Sequence, residues 1–189
     1  MSISPDQIRI FRDNQKDVLK SGLTELEVKD YFSVIFSPKG IKSLTKQDMT
    51  GFLSFKQNKR WREISRDDVT TDMEALRNAL ALLIDESVPI SQRLNRLEPN
   101  KGDLSVAHLG KAKLSPILLI VYPKKYGVWN DYSQRVIENM GLMPIFSSGM
   151  GLGDRYALFN DVLLSLAKEY NVSLWRLDIL LEQISRLIR

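Results

Sequence analysis

Apolar residues recur along most of this chain three or four positions apart, the spacing of a helix with one buried face, and the alternation of a half-buried strand is scarce. Ser4-Pro5-Asp6-Gln7 supplies a cap, a first-turn proline and a capping-box glutamine ahead of Ile8, Phe11, Val18 and Leu19, and Gly22 stops that helix. Thr24-Glu-Leu-Glu27 repeats the start signal before Val28, Phe32, Ile35 and Phe36, until Ser37-Pro-Lys-Gly40 breaks the run. Thr45 suits the cap of a helix carrying Met49, Phe52, Leu53 and Phe55. Thr71-Asp-Met-Glu74 opens another with Leu76, Leu80, Leu83 and Ile84 on one face, and a short helix over 91–97 follows Pro89. Farther on, Pro116 fits the first turn of a helix, and Asp131-Tyr-Ser-Gln134 has capping-box spacing before a helix ended by Gly141 and Pro144. Residues 154–170 and 173–188 read as the last two helices, the final one with Leu177, Leu180, Leu181, Ile184, Leu187 and Ile188 at helical spacing. The pattern predicts an all-α protein.

The best linker candidate is 98–103, rich in Pro, Asn and Gly. It divides the chain into an N-terminal helical region, 1–100, and a second region, 101–189, as two lobes of one domain; 189 residues suffice for a shared core. The absence of cysteine excludes disulfides and thiolate metal sites, and with His108 the lone histidine, neither a metal nor a cofactor is expected. The N-terminus lacks the charged and apolar regions of a signal peptide. The longest apolar run, 114–122, contains Ser and Pro and is about half of a membrane span, so the expected setting is cytoplasmic, with no membrane partner.

A net charge of +4 does not by itself indicate nucleic acid, but its distribution is uneven. Lys56, Lys59, Arg60, Arg62 and Arg66 face a single Glu63, with Trp61 among them to stack on a base while the cations neutralise phosphate. The plainer reading of such a run is a solvated face. A second candidate is the turn His108-Leu-Gly110-Lys111-Ala-Lys113, where a glycine ahead of an apolar helix lets backbone N–H groups approach an anion and two lysines add charge. Here the plainer reading is a surface turn before a core helix. A third is Tyr126-Gly-Val-Trp129-Asn130-Asp131, which joins aromatic faces to polar groups at a helix start, either to inspect a base or to form core and cap. Arg155, Tyr156 and Asn160, on neighbouring turns of one helix, could line a cleft with it or buttress its loop. Gly149-Met-Gly-Leu-Gly153 lacks the preceding strand and following Lys-Ser/Thr of a nucleotide loop and reads as a flexible turn.

The order of turn, apolar helix, aromatic-polar step and second helix resembles the core of the helix-hairpin-helix DNA glycosylase superfamily. Gly110 matches the second glycine of its Leu-x-Gly-x-Gly turn, and His108 stands at the first. The resemblance implies a multi-helix glycosylase-like fold whose turn holds DNA phosphate through His108, Gly110, Lys111 and Lys113. It also implies a base pocket of Tyr126, Trp129, Asn130, Arg155, Tyr156 and Asn160. The family places its catalytic carboxylate where Asn130 stands, which leaves Asp131, one position later, as the candidate catalytic residue; Ala112 occupies the lyase position. Asn58-Lys-Arg-Trp61, Tyr126-Gly-Val-Trp-Asn130 and Leu174-Trp-Arg-Leu-Asp178 together are similar to a family of prokaryotic proteins sometimes joined to restriction-type nuclease or ATPase modules. This implies a non-catalytic DNA-binding domain that inspects damaged, modified or unpaired bases in repair or in restriction and defence, with Lys59, Arg60, Trp61 and Arg62 extending the contact. The alternatives are an active DNA glycosylase, or a protein-interaction subunit that presents its last helix to a partner.

Overall fold

The computed structural model describes residues 25–54 and 68–188, and over these the chain is all-α, with nine helices and no strand. The expected first helix and the basic run, with Lys59, Arg60, Trp61 and Arg62, lie outside the described residues. The helices are α1 (Glu25–Ile35), α2 (Pro38–Lys42), α3 (Lys46–Ser54), α4 (Met73–Leu83), α5 (Ile90–Arg96), α6 (Lys111–Val121), α7 (Asp131–Asn139), α8 (Leu152–Glu169) and α9 (Leu174–Leu187). None of them is long and apolar enough to cross a membrane.

Side-chain caps start most of these helices. Ser37 accepts from the Gly40 N–H, so the expected break after α1 is followed at once by the short helix α2, with Pro38 in its first turn. Thr45 and Asp48 exchange backbone hydrogen bonds at the head of α3. Asp72 accepts from Glu74 and Ala75 to start α4, whose Leu76, Ala79, Leu80 and Leu83 are buried. At α7 the cap lies one residue before the expected Asp131. Asn130 Oδ1 accepts from the Tyr132 and Ser133 N–H groups, and the Ser133 hydroxyl accepts the Asn130 N–H in return.

α6 is deeply buried, with Leu114, Ile117, Leu118, Leu119 and Ile120 all in the core. It begins at Lys111, so Pro116 sits in its second turn instead of the expected first. The chain reaches α6 through turns spanning 97–110 and not directly from a helix. α8 packs along α5, α9 against both α7 and α8, α1 against α6, and α2 against α4. The α5–α8 pair lies on either side of the expected 98–103 boundary and is closely fitted: a Cβ at Gly153 would sit 1.8 Å from the Ser91 carbonyl oxygen. Between them these contacts fix where the N-termini of α6, α7 and α8 sit, and those three ends hold the candidate residues.

Candidate nucleic-acid interface

The turn before α6 is tied down from three sides. Buried Val106 and Leu109 anchor it, and the Leu109 N–H donates to the Val106 carbonyl. His108, at φ 60°, takes the left-handed conformation that glycine adopts most readily. Its imidazole is exposed, with Nε2 3.3 Å from Asp68 Oδ2, while its carbonyl accepts from the Lys113 ammonium at 2.7 Å. Lys113 is thus turned inward as a strut beneath the turn, and burial lowers its pKa against the opposing pull of Asp68.

Gly110 is the N-cap residue of α6 and brings no side-chain cap. The N–H groups of Lys111 and Ala112 have no partner among the described residues. Among the described residues nothing requires a glycine there, because φ is −95° and an added Cβ would meet Pro99 Cγ at an ordinary 3.7 Å. Lys111 extends from this end across Trp129. Its ammonium lies 4.0 Å from the indole centroid and donates to Gln134 Oε1 at 2.6 Å, the same oxygen that accepts the Trp129 indole N–H. Burial holds the Lys111 pKa below that of an ordinary lysine, opposed by Asp131, while the charge of Arg155 adds to the lowering and Glu138 opposes it.

The expected base-pocket residues are brought together, mostly in the interior. Trp129 is 3% exposed and stacks on Phe159 at 4.6 Å, and its backbone N–H donates to the Ser115 hydroxyl. Asn160 Oδ1 accepts the Gly127 N–H and its amide donates to the Lys125 carbonyl; the Tyr156 hydroxyl donates to the Gly127 carbonyl. Burial pushes the Tyr156 hydroxyl well above the usual tyrosine range. Together Asn160 and Tyr156 set the course of the loop that carries Tyr126 and Trp129. The Tyr126 hydroxyl is held by Arg93 and Glu86. Asn130 has its oxygen occupied as the α7 cap, with its amide 3.5 Å from Asp178 Oδ1, whereas the Asp131 side chain is exposed at the first position of that helix.

Arg155 belongs to a different arrangement, at the head of α8. Like α6, this helix has a glycine N-cap, Gly151. Its free N–H groups are taken up from within: Asn95 accepts from Gly153 and Glu98 from Leu152, while Asp154 accepts from Gly151. Arg155 pairs with Glu98 at 3.0 Å. The Gly149–Gly153 stretch, expected to be a flexible turn, thus ends in a closed helix start, whereas no described residue closes the start of α6. Among the described residues a surface cleft of about 590 Å³ between α2 and α4 reaches Glu86, and one of about 290 Å³ lies beside Asp72 and Asp103.

Several contacts of the site escape the sequence reading, although Asp178 itself lies in the Leu174–Asp178 motif. Gln134 joins Lys111 to Trp129, Asp178 reaches Asn130 from α9, and Glu86 with Arg93 holds Tyr126. Gln134 was visible only as a capping residue. For Asp178, Glu86 and Arg93 no local spacing signals a partner 33 to 48 residues away. Comparison of the chain with known protein families, with curated proteins and with solved structures finds no match.

Proposed function

We propose that this chain is a DNA-binding domain that grips a backbone phosphate at the N-terminus of α6, without excising a base, in DNA repair or in a restriction or defence system. The observation that carries the reading is the open helix end at Gly110. A helix N-terminus concentrates partial positive charge and unpaired N–H donors, which suits an anion. At α8 the protein fills such an end with Asn95, Glu98 and Asp154; at α6 no described residue fills it, and no described neighbour demands the glycine before it. Lys111 points the same way, because burial acts against its charge, so that charge is not favoured by the free fold and gains when an anion arrives. The resemblance to the helix-hairpin-helix glycosylases adds that their phosphate is held at the corresponding turn.

Excision is left out of the proposal for a chemical reason. A departing base leaves positive charge on the sugar, which a carboxylate stabilises best in a site sheltered from water. Asn130 has no charge to offer, and Asp131 is exposed to solvent.

The reading is tested by fluorescence anisotropy of a labelled duplex titrated at several salt concentrations. Affinity should fall log-linearly with salt, and Lys111→Met, which keeps the packing on Trp129, should reduce the slope by about one. The thermal midpoint of this variant at neutral pH should not fall. No binding at low salt, or an unchanged slope in the variant, contradicts the proposal.

A further inference from the structure

The cleft between α2 and α4 has an apolar bottom and a charged rim. Ile41 and Ile84 lie beneath it, nearly buried, and the exposed Pro38 and Ala81 belong to its two walls. One wall is a single stripe of α4: Glu74, Asn78 and Ala81 recur at the spacing of one helix face, with Asp85 in line just past the helix end. All four are exposed, on the side of α4 opposite its buried Leu76, Leu80 and Leu83. Ala81, the smallest side chain of the stripe, opens it toward the apolar bottom. Glu74 and Asn78 also line the smaller cleft beside Asp72 and Asp103, so the two hollows adjoin as one trough.

Charge decides what the trough takes. Its described lining sets Asp72, Glu74, Asp85, Glu86 and Asp103 against Lys42 and Arg77, in a chain whose net charge is +4. Some of these carboxylates are engaged: Glu86 with Arg93, Tyr126 and Lys125, Asp103 with Arg96, and Asp72 as the α4 cap. The two at the ends of the stripe face solvent. Glu74 has no side-chain partner among the described residues, and Asp85 accepts from Ser87, two residues on. Of the cations, Arg77 donates twice to the Leu44 carbonyl, and Lys42 is exposed on a flexible stem.

The occupant that fits is cationic at two points with an apolar group between them. Among the described residues no group of three or more carboxylates could hold a metal ion, and the carboxylates repel nucleic acid. A small organic cation binds best where a pocket encloses it. This trough instead runs open along three turns of α4, about 16 Å. That shape suits polypeptide, with an apolar side chain over Ala81 and a Lys or Arg toward Glu74 and toward Asp85. We infer that the trough docks a basic, apolar segment of a partner protein, an assignment independent of the phosphate reading above. In an extended segment the two cations would stand about five residues apart.

The test titrates isotope-labelled protein with a nine-residue peptide that holds a leucine between two lysines five residues apart, and follows the backbone amides by NMR. The shifts should cluster at 38–42 and 74–86, with a dissociation constant below about 1 mM. Exchanging the lysines for glutamates, or the leucine for serine, should weaken binding by roughly tenfold. Ala81→Arg puts a cation and bulk into the slot at an exposed position of a helix, where Arg is a good helix former. Its thermal midpoint should hold while peptide affinity falls by roughly tenfold, and Glu74→Gln should weaken binding about threefold. Native affinity in Ala81→Arg overturns the docking site, as do shifts outside the trough or none at all with millimolar peptide. The same shifts from spermidine at equal concentration overturn a peptide partner in favour of a small polyamine. Binding that emerges only once Lys59, Arg60 and Arg62 are changed to Gln also overturns it, and gives the trough to the chain's own basic run.

Discussion

Glu86 receives hydrogen bonds from Arg93 and Tyr126, each at 2.8 Å, and from the Lys125 ammonium. Arg93 is 1% exposed and also donates to the Leu83 carbonyl, so this carboxylate is the charge partner of a buried guanidinium. Burial pushes the Glu86 pKa up, but the hydrogen bonds from Lys125, Tyr126 and Arg93 outweigh it and hold the group below the ordinary glutamate range. The unfolded chain therefore binds this proton more readily than the folded one. The stability that the ionised group contributes is complete above the unfolded pKa of about 4.3 and is lost as pH falls through the lower folded value. Urea unfolding across this acid range should show native stability declining below about pH 4.3, with a shallower decline in Glu86→Gln. Equal slopes for the two proteins would remove Glu86 from the acid response.

At the scale of elements, the glycines separate packing from function. Gly153→Ala would place a Cβ 1.8 Å from the Ser91 carbonyl oxygen, which belongs to backbone and has no rotamer to move aside. The α5–α8 pair should be forced apart at a cost of about 2–3 kcal/mol, read as a lower thermal midpoint; an unchanged midpoint would mean that the close fit is not needed. Most helices were legible because their caps are local. Thr45 with Asp48 is read within four residues, and so is the start of α4, although its cap is Asp72, one residue past the Thr71 that opens the expected motif. The cap of α7 was misplaced because Asn130 and Asp131 are both competent and adjacent; the reciprocal bond from Ser133 selects Asn130. Pro116 was misplaced because α6 starts at a glycine, which gives no side-chain signal of a beginning.

For the molecule as a whole, helical periodicity conveyed the fold class, since buried stripes dominate the described helices. The gathering of Tyr126, Trp129, Asn130, Tyr156 and Asn160 was legible too, but their orientation was not. Aromatic and amide side chains that could read a base are equally suited to stacking on Phe159 and holding a loop, and only tertiary packing decides. The contrast between the two glycine-started helices was equally out of reach, because Asn95 and Glu98 close α8 from more than fifty residues away. No described residue fills the α6 end, and Gly110→Asp tests the proposed phosphate site there directly. Aspartate is a good N-cap and places negative charge at the positive end of the helix, so the free protein should gain a few tenths to about 1 kcal/mol. The same carboxylate would occupy and repel the phosphate position. Measured side by side, the thermal midpoint should hold or rise while duplex affinity falls by about tenfold or more; native affinity in a folded Gly110→Asp protein would contradict the phosphate site.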